Sequence, residues 1–191
     1  EEWKGKLVEY YVEPEYEKDV KNIFPHTVEM LSFFSEKFGC EYPWQKYSQI
    51  IVRDYVSGAM ENTTAVIFGE FIQNDSRSLL DNNDLNEGIV AHEMMHHWFG
   101  NLVTCESWSN LPLNESFANY SEYLWFEHKY SKDYADYIRM NEIQGYFNQA
   151  LMQNDQQPLI RFNYLNKEDM FDAHSYNKGG AVLHMLRKYV G

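Results

Sequence analysis

The residues "HEMMH" at 92–96 constrain this chain more than any other segment, because their polar side chains can act together only on a helix. His92 and His96 are four residues apart, so a helix would place them on one face with Cβ atoms about 5–6 Å apart. Two imidazoles at that separation can bind one Zn²⁺. Glu93 lies off the ligand face but can still reach a water on the metal as a general base. The segment therefore predicts a helix that carries two zinc ligands and one catalytic carboxylate.

A catalytic zinc site needs a third protein ligand and one open position, and the next predicted helix offers the ligand. Glu115 follows Asn114 at the start of that helix. A lone glutamate there would be taken to stabilise the helix N-terminus, but beside "HEMMH" it is predicted to bind the metal. His97 lies about 100° around the helix from His96, so we expect it to face solvent or to pack, not to bind. One zinc ion per chain is expected.

Two further side chains on the same predicted helix are candidates for supporting the metal ligands. Metal-bound imidazoles usually donate their other N–H to a neighbouring polar group. Asn119 and Glu122 follow Glu115 on that helix, and Glu122 lies two turns further along its face. Both are candidates for the supporting hydrogen bonds, although their sequence context alone is that of ordinary residues on a helix surface.

The order of the predicted elements indicates an α+β fold, because strands come first and helices follow. Strands are predicted at 6–12, 48–56 and 63–70, and a helical stretch at 16–38 is interrupted at Pro25. Asp84 and Glu87 have the spacing of a capping box, and Gly100 and Asn101 form a stop, so the "HEMMH" helix is predicted between them. Later helices are predicted at about 114–127, 132–152 and 177–189.

Composition excludes some classes of function. The net charge of −13 argues against nucleic acid as a partner, since phosphates would be repelled. The chain has no run of about 18 apolar residues, so no transmembrane segment is expected. Whether Cys40 and Cys105 pair is left open, because two cysteines do not define a disulfide framework. The chain begins with Glu1 and shows no signal-like segment, so its compartment stays unknown and we expect an excised or processed piece.

Several motifs together resemble the M1 aminopeptidases, a gluzincin family. The segment "HHWFGNLVT" at 96–104 extends the zinc motif as that family does, and "GAMEN" at 58–62 is similar to its exopeptidase signature. "YNKGG" at 176–180 resembles the Y-x-K-G segment that carries the family's catalytic tyrosine. The resemblance covers about residues 12–189.

The segment "WSNLPLNESF" at 108–117 departs from the family pattern around the third ligand. Ser109 replaces a Trp, Pro112 is unexpected, and Ser116 replaces a Gly. These residues are neighbours of Glu115, so the departures concern local packing and pocket shape and leave the ligand itself in place.

The resemblance implies roles for residues that the sequence pattern alone does not single out. It implies that Tyr176 donates a hydrogen bond to the oxyanion and that the carboxylate of Glu61 binds the free amino terminus of a peptide substrate. It further implies that residues 58–62 contact substrate. These residues are Gly58, Ala59, Met60, Glu61 and Asn62. By the same resemblance, the backbone of Gly58 and Ala59 would run beside the peptide, and Met60 would border the pocket for its first side chain.

The resemblance also implies a thermolysin-like catalytic domain over 1–191, with a small mixed β-sheet followed by a helical subdomain. Residues 1–12 would be the tail of a preceding β-domain, and the family's flanking domains would be absent. The implied activity is zinc-dependent removal of N-terminal residues from peptides. Three alternatives stay open: an epoxide hydrolase of the leukotriene type, an endopeptidase like thermolysin, and a non-catalytic binding module.

Overall fold

The computed structural model describes the backbone of the chain and the side chains of residues 1–81 and 84–191. It divides into two compact units, residues 1–97 and residues 98–191. The first unit contains the sheet, and the second is built from helices. The α+β class predicted from the order of elements is therefore confirmed.

The first unit contains a five-stranded mixed sheet with the strand order β1-β2-β3-β5-β4. The strands are β1 (Glu2–Trp3), β2 (Lys6–Tyr11), β3 (Lys46–Val52), β4 (Ala59–Met60) and β5 (Ala65–Gly69). The three central strands β2, β3 and β5 are parallel, and β1 and β4 pair antiparallel at the two edges. The connection predicted between β3 and β5 thus contains an edge strand of its own.

Helices of the first unit pack their apolar residues against this sheet. After a 3-10 helix (Pro14–Asp19) come α1 (Val20–Ile23) and α2 (Thr27–Phe38), and the break at Pro25 lies where the sequence predicts it. The helix α2 ends at Gly39, which adopts the left-handed conformation with φ of 61°. Phe24 contacts Phe68 of the sheet with ring centroids 5.7 Å apart, and both are buried. Burial of each such side chain stabilises the fold by about 1.5–3 kcal/mol.

The helix that carries "HEMMH" is α3 (Leu79–Met95), and its bounds differ from the predicted ones. It begins before Asp84, because Asp75 forms the N-terminal turn instead. Asp75 Oδ1 accepts the backbone N–H groups of Arg77 at 3.0 Å and Ser78 at 2.8 Å. The helix α3 ends before Gly100, with His96 at its C-cap. Asp84 is exposed within the helix and caps nothing, so the capping-box prediction is wrong.

The second unit is a group of helices around α4 (Pro112–Lys129). α4 contacts both α5 (Lys132–Phe147) and α6 (Gly179–Val190). Short 3-10 helices lie at Trp108–Asn110 and Lys167–Met170, and π-helices at Asn148–Met152 and His174–Lys178. Pro112, unexpected in the sequence pattern, is the first residue of α4, a position that does not need its missing N–H.

Two glycines allow α6 to approach α4 closely. A Cβ on Gly179 would overlap with the hydroxyl of Ser116, and a Cβ on Gly180 would overlap with the side-chain oxygen of Asn119. The "GG" of the YNKGG segment is therefore required by packing between these two helices.

Among the residues whose positions are described, none of the helices is long and apolar enough to cross a membrane. The structure places Cys40 and Cys105 as thiols, not as a disulfide.

Candidate active site

The last turn of α3 brings together the two histidines that the sequence predicts to act as a pair. The ring centroids of His92 and His96 are 5.0 Å apart, with their planes at 75° to each other. The backbone N–H of His96 donates to the carbonyl of His92 at 3.4 Å, so the helical spacing is kept up to the C-cap. Imidazole nitrogens are the commonest ligands of catalytic zinc, so this donor pair fits the predicted metal.

Two carboxylates of the first unit converge on the same end of α3. One oxygen each from Glu61 and Glu93 and one ring nitrogen of His96 all lie within 4.8 Å of one another. Glu93 and His96 are buried, and Glu61 is half-buried. Two carboxylate oxygens and an imidazole nitrogen at this separation form a group of donors that could bind a cation.

The segment that carries Glu61 forms the edge of the sheet. Ala59 pairs with Phe68 and Met60 with Ile67 in the antiparallel β4–β5 pair, and the Gly58 carbonyl accepts the Gly69 N–H at 2.9 Å. Because β4 is last in the strand order, one side of its backbone is not paired within the sheet. Extended peptides bind proteins by adding to such edges.

Gly58 itself is not required by packing, since a Cβ built there has no atom within 4 Å. Its φ is also not in the left-handed region, so the fold would accept a side chain at this position. Asn62, the last residue of the GAMEN segment, is exposed, and its carbonyl accepts the Ala65 N–H at 2.8 Å to close the turn into β5.

His97 is completely buried. Of the two placements expected for it, facing solvent or packing in the interior, the structure shows the second. Its Nε2 accepts the backbone N–H of Thr64 at 3.2 Å, and its Nδ1 lies 3.2 Å from the carbonyl oxygen of Glu93. Burial lowers the pKa of His97 to about 4. The side chain is therefore neutral near pH 7. Because Nε2 accepts a hydrogen bond, the single ring proton is on Nδ1.

In the second unit, Glu115 lies in the first turn of α4 and is buried. The preceding Asn114 fixes the entry to the helix, since its Oδ1 accepts the backbone N–H of Cys105 at 3.1 Å. The following Ser116 donates its hydroxyl to the carbonyl of Ser175 at 2.7 Å. This bond links the turn that carries Glu115 directly to the segment that carries Tyr176.

Tyr176 lies in the π-helix His174–Lys178, which runs directly into α6. Its N–H donates to the Asp172 carbonyl at 3.1 Å. The side chain of Asp172 also caps this turn, because its Oδ1 accepts the backbone N–H groups of His174 and Ser175, both at 3.0 Å. Sequence reasoning missed Asp172, although an aspartate two or three residues before the first N–H groups of a helix is a recognisable capping signal.

Asp172 is half-buried and belongs to a polar network with the buried side chains of Arg161 and His174, which sequence reasoning did not find. Its Oδ2 accepts hydrogen bonds from Arg161 at 2.7 Å and from His174 Nδ1 at 3.1 Å. His174 Nε2 accepts the Gln157 N–H at 3.0 Å, so the imidazole is fully oriented. Ligand atoms of Asp155, Asp172 and His174 lie within 4.8 Å of one another, but each of these side chains already has hydrogen-bond partners within the protein. The network thus anchors the irregular segment before Tyr176.

The two candidates for supporting hydrogen bonds lie further along α4. Asn119 is buried, and its Nδ2 donates to Glu142 of α5 at 3.0 Å. Glu122 is half-buried on the same helix. Their predicted role beside the metal ligands stays a prediction.

Comparisons with known proteins agree with these motifs. The family profile described as "Peptidase family M1 domain" matches residues 23–191. The chain is 35% identical to aminopeptidase M1-A of Oryza sativa subsp. japonica over 86% of its length, and 34% identical to aminopeptidase N of Canis lupus familiaris over 84%. It is 30% identical to glutamyl aminopeptidase of Sus scrofa over 97%. The chain spans 19%, 17% and 20% of these three relatives, about a fifth of their length. A profile match over most of the chain shows that this chain belongs to peptidase family M1.

Proposed function

We propose that the protein to which this chain belongs is a zinc-dependent aminopeptidase that removes N-terminal residues from peptides. The observation that carries this proposal is the convergence of Glu61, Glu93 and His96 within 4.8 Å at the end of the helix that also presents His92. These are the residues that we propose as amine-binding carboxylate, base and metal ligand, and their proximity supports the proposal. The aminopeptidase names of the relatives support the same conclusion.

His92, His96 and Glu115 are the residues we propose to hold the metal, one ion per chain. Two imidazoles and a carboxylate form a ligand set typical of catalytic zinc sites, which keep a fourth position open. A zinc ion bound there would supply an acidified water, with a pKa near 7, and polarise the scissile carbonyl. Residues 1–191 would form the catalytic domain around this site.

Glu93 is proposed to move the proton in this reaction. Glu93 follows His92 directly in the sequence, and its side chain is buried. Its carboxylate would take the proton of the attacking water and later pass it to the leaving amine. Its backbone carbonyl is held by His97, which limits how far the side chain can drift from the ligand face.

Glu61 is proposed to recognise the amino terminus of the substrate. That group has a pKa of about 7.7–8 and is mostly cationic near neutral pH. A carboxylate about 4 Å from it contributes up to about 4 kcal/mol at an effective dielectric near 20, before desolvation. The backbone of Gly58 and Ala59 would pair with the substrate along the open edge of β4, and Met60, partly exposed, would border the pocket for the first side chain.

Tyr176 is proposed to donate its hydroxyl hydrogen bond to the oxygen that becomes negative in the transition state. Its segment is anchored on both sides, by Asp172 before it and by the bond from Ser116 to Ser175 beside it. Such a preorganised donor is worth about 2.7–4 kcal/mol of barrier when an enzyme loses it.

Zinc content and turnover measured together test the proposal. The full-length protein, its Glu93→Gln variant and an Asp84→Asn control would be analysed for zinc and for hydrolysis of alanyl- and leucyl-anilides. We expect one zinc per chain in all three, with activity lost only in Glu93→Gln. The control removes one exposed carboxylate from the same helix. A parent protein without zinc, or a Glu93→Gln variant that keeps most of its rate, would refute the mechanism.

A further inference from the structure

We propose that His97 is a positioning residue that fixes the loop carrying Glu61 against the backbone of Glu93, and so sets the distance between the amine-binding carboxylate and the base. The inference rests on the proposed function, because it gives Glu61 and Glu93 those two roles. His97 has no role in the mechanism proposed above.

The contacts of the imidazole place it between the two segments. Nε2 of His97 accepts the Thr64 N–H at 3.2 Å, three residues after Glu61. A ring nitrogen that accepts a hydrogen bond carries no proton, so the proton of the neutral ring is on Nδ1. Nδ1 therefore donates to the Glu93 carbonyl, 3.2 Å away. A single side chain thus bonds the loop on one side and the helix on the other.

Thr64 has a backbone conformation that needs such support. Its φ of 68° lies in the left-handed region, which β-branched residues rarely adopt. Strained conformations of this kind persist only where the surrounding structure enforces them, and they concentrate at functional sites. Two bonds hold Thr64: its N–H donates to His97, and its carbonyl accepts the Ser48 N–H of the central strand at 3.0 Å.

The imidazole itself cannot reorient. Its ring centroid lies 5.4 Å from that of Tyr42 and 5.2 Å from that of Tyr47, and all three side chains are buried. The Trp44 indole N–H donates to the His97 carbonyl at 3.2 Å and fixes the backbone of the same residue. A change in the ring's hydrogen bonding would therefore be transmitted to the Glu61 loop and not absorbed by a rotation of the ring.

Three substitutions separate the two bonds from the packing. His97→Gln places an amide oxygen near the position of Nε2 and can keep the bond from Thr64. His97→Asn can keep only the bond to Glu93, and His97→Phe keeps the ring packing and neither bond. Trp44→Phe is the control, since it removes a bond to the same residue without touching the imidazole.

The readout is the preference for a free amino terminus. In the full-length enzyme, kcat/KM would be compared for an alanyl-anilide and its N-acetylated form. We expect His97→Phe and His97→Asn to lower that preference roughly tenfold, mainly through KM, as loss of one buried hydrogen bond would do. His97→Gln and Trp44→Phe should keep it, and zinc content should be unchanged in all four.

A second measurement does not depend on activity. Hydrogen exchange of the Thr64 amide should accelerate in His97→Phe and His97→Asn but not in His97→Gln or Trp44→Phe, because only the first two remove its acceptor. Adding Thr64→Gly to His97→Phe should restore much of the substrate preference, since glycine adopts positive φ without strain.

Glu61→Gln distinguishes failure of this inference from failure of the proposed function. If Glu61→Gln loses the preference for a free amine while His97→Phe and His97→Asn keep it, the positioning role is wrong. If Glu61→Gln keeps that preference, the amine-binding role assigned under the proposed function is wrong. Unchanged exchange at Thr64 in His97→Phe would overturn the positioning role in either case.

Discussion

At the scale of single residues, the most informative departure from the family pattern is Ser116. Its hydroxyl donates to the Ser175 carbonyl and occupies the space that a Cβ at Gly179 would need. The serine and the glycine are therefore complementary: the larger residue on α4 is accommodated because the facing residue on α6 has no side chain. The same hydroxyl links the turn of Glu115 to that of Tyr176.

Gly179→Ala should destabilise the protein by about 1–3 kcal/mol, the usual effect of overpacking a well-packed contact. Ser116→Gly in the same chain removes the hydroxyl that the new methyl group meets, so the double variant should recover part of that loss. The free energies of unfolding from denaturant titrations of both single variants and the double variant would measure the coupling. Strict additivity would contradict the contact.

Tyr176→Phe should lower kcat by about a hundred- to a thousandfold, because in the proposed mechanism the oxyanion loses one preorganised donor worth about 2.7–4 kcal/mol. Zinc content should not change, since the tyrosine is not among the proposed ligands. Tyr189→Phe is the matched control on α6, where the side chain is 89% exposed. Steady-state kinetics would test this, and a Tyr176→Phe variant with nearly full kcat would exclude the assigned role.

At the scale of elements, short-range signals predicted much of the fold. Pro25 breaks the first helical stretch, Gly39 ends α2 at positive φ, and the helix of "HEMMH" presents its histidines on one face. Each of these follows from the conformational limits of one residue or from the 3.6-residue period.

What the sequence did not predict depends on contacts between distant segments. The start of α3 is set by Asp75, which accepts hydrogen bonds from the backbone N–H groups of Arg77 and Ser78. The sequence pattern instead favoured a capping box at Asp84. The parallel pairing of β3 with β5 cannot be read from two apolar runs, because both orientations bury such strands. For the same reason the sequence did not predict the anchoring hydrogen bonds of His97 and of the Arg161–Asp172 pair. The partners in these bonds are remote in sequence or lie in irregular segments.

Arg161→Met should destabilise the second unit by about 1–3 kcal/mol, because the half-buried Asp172 carboxylate loses its guanidinium partner. Because Asp172 caps the turn of Tyr176, kcat should also fall while zinc content is kept. Lys167→Met is the control, since it removes an exposed pair with Glu168 and a cation–π contact with Trp108, and it should change stability by about 1 kcal/mol or less. Equal effects of the two substitutions in thermal denaturation would contradict the polar network.

At the scale of the whole molecule, the order of strands before helices predicted the α+β class, and the profile match shows the family. The net charge of −13 disfavours nucleic acid and suits a substrate with a cationic amino terminus. Glu61 and Glu93, which contribute to that negative charge, lie close together at the site that we propose for such a group.

Removal of the proposed zinc ion should lower the melting temperature of the full-length protein, because a ligand that binds only the native state stabilises it by mass action. At a free zinc concentration a hundred times Kd the stabilisation is about 2.7 kcal/mol. Chelation followed by zinc addition, monitored by calorimetry, should reverse the shift in the parent and in Glu93→Gln. His96→Ala should show little or no shift, and a full zinc response in that variant would remove His96 from the ligand set.

The π-helix at His174–Lys178 has a consequence for how this family member tolerates changes in length. A π-turn contains one more residue than the α-helical turn it replaces, as the bond from the Lys178 N–H to the Ala173 carbonyl shows. Deletion of Asn177 would let α6 continue as a regular helix with Gly179 and Gly180 still facing α4, while Tyr176 would rotate by about 100° relative to them. The extra residue therefore sets the direction of the tyrosine side chain independently of the glycines. With the role that we propose for Tyr176, a one-residue deletion here should spare folding while abolishing turnover.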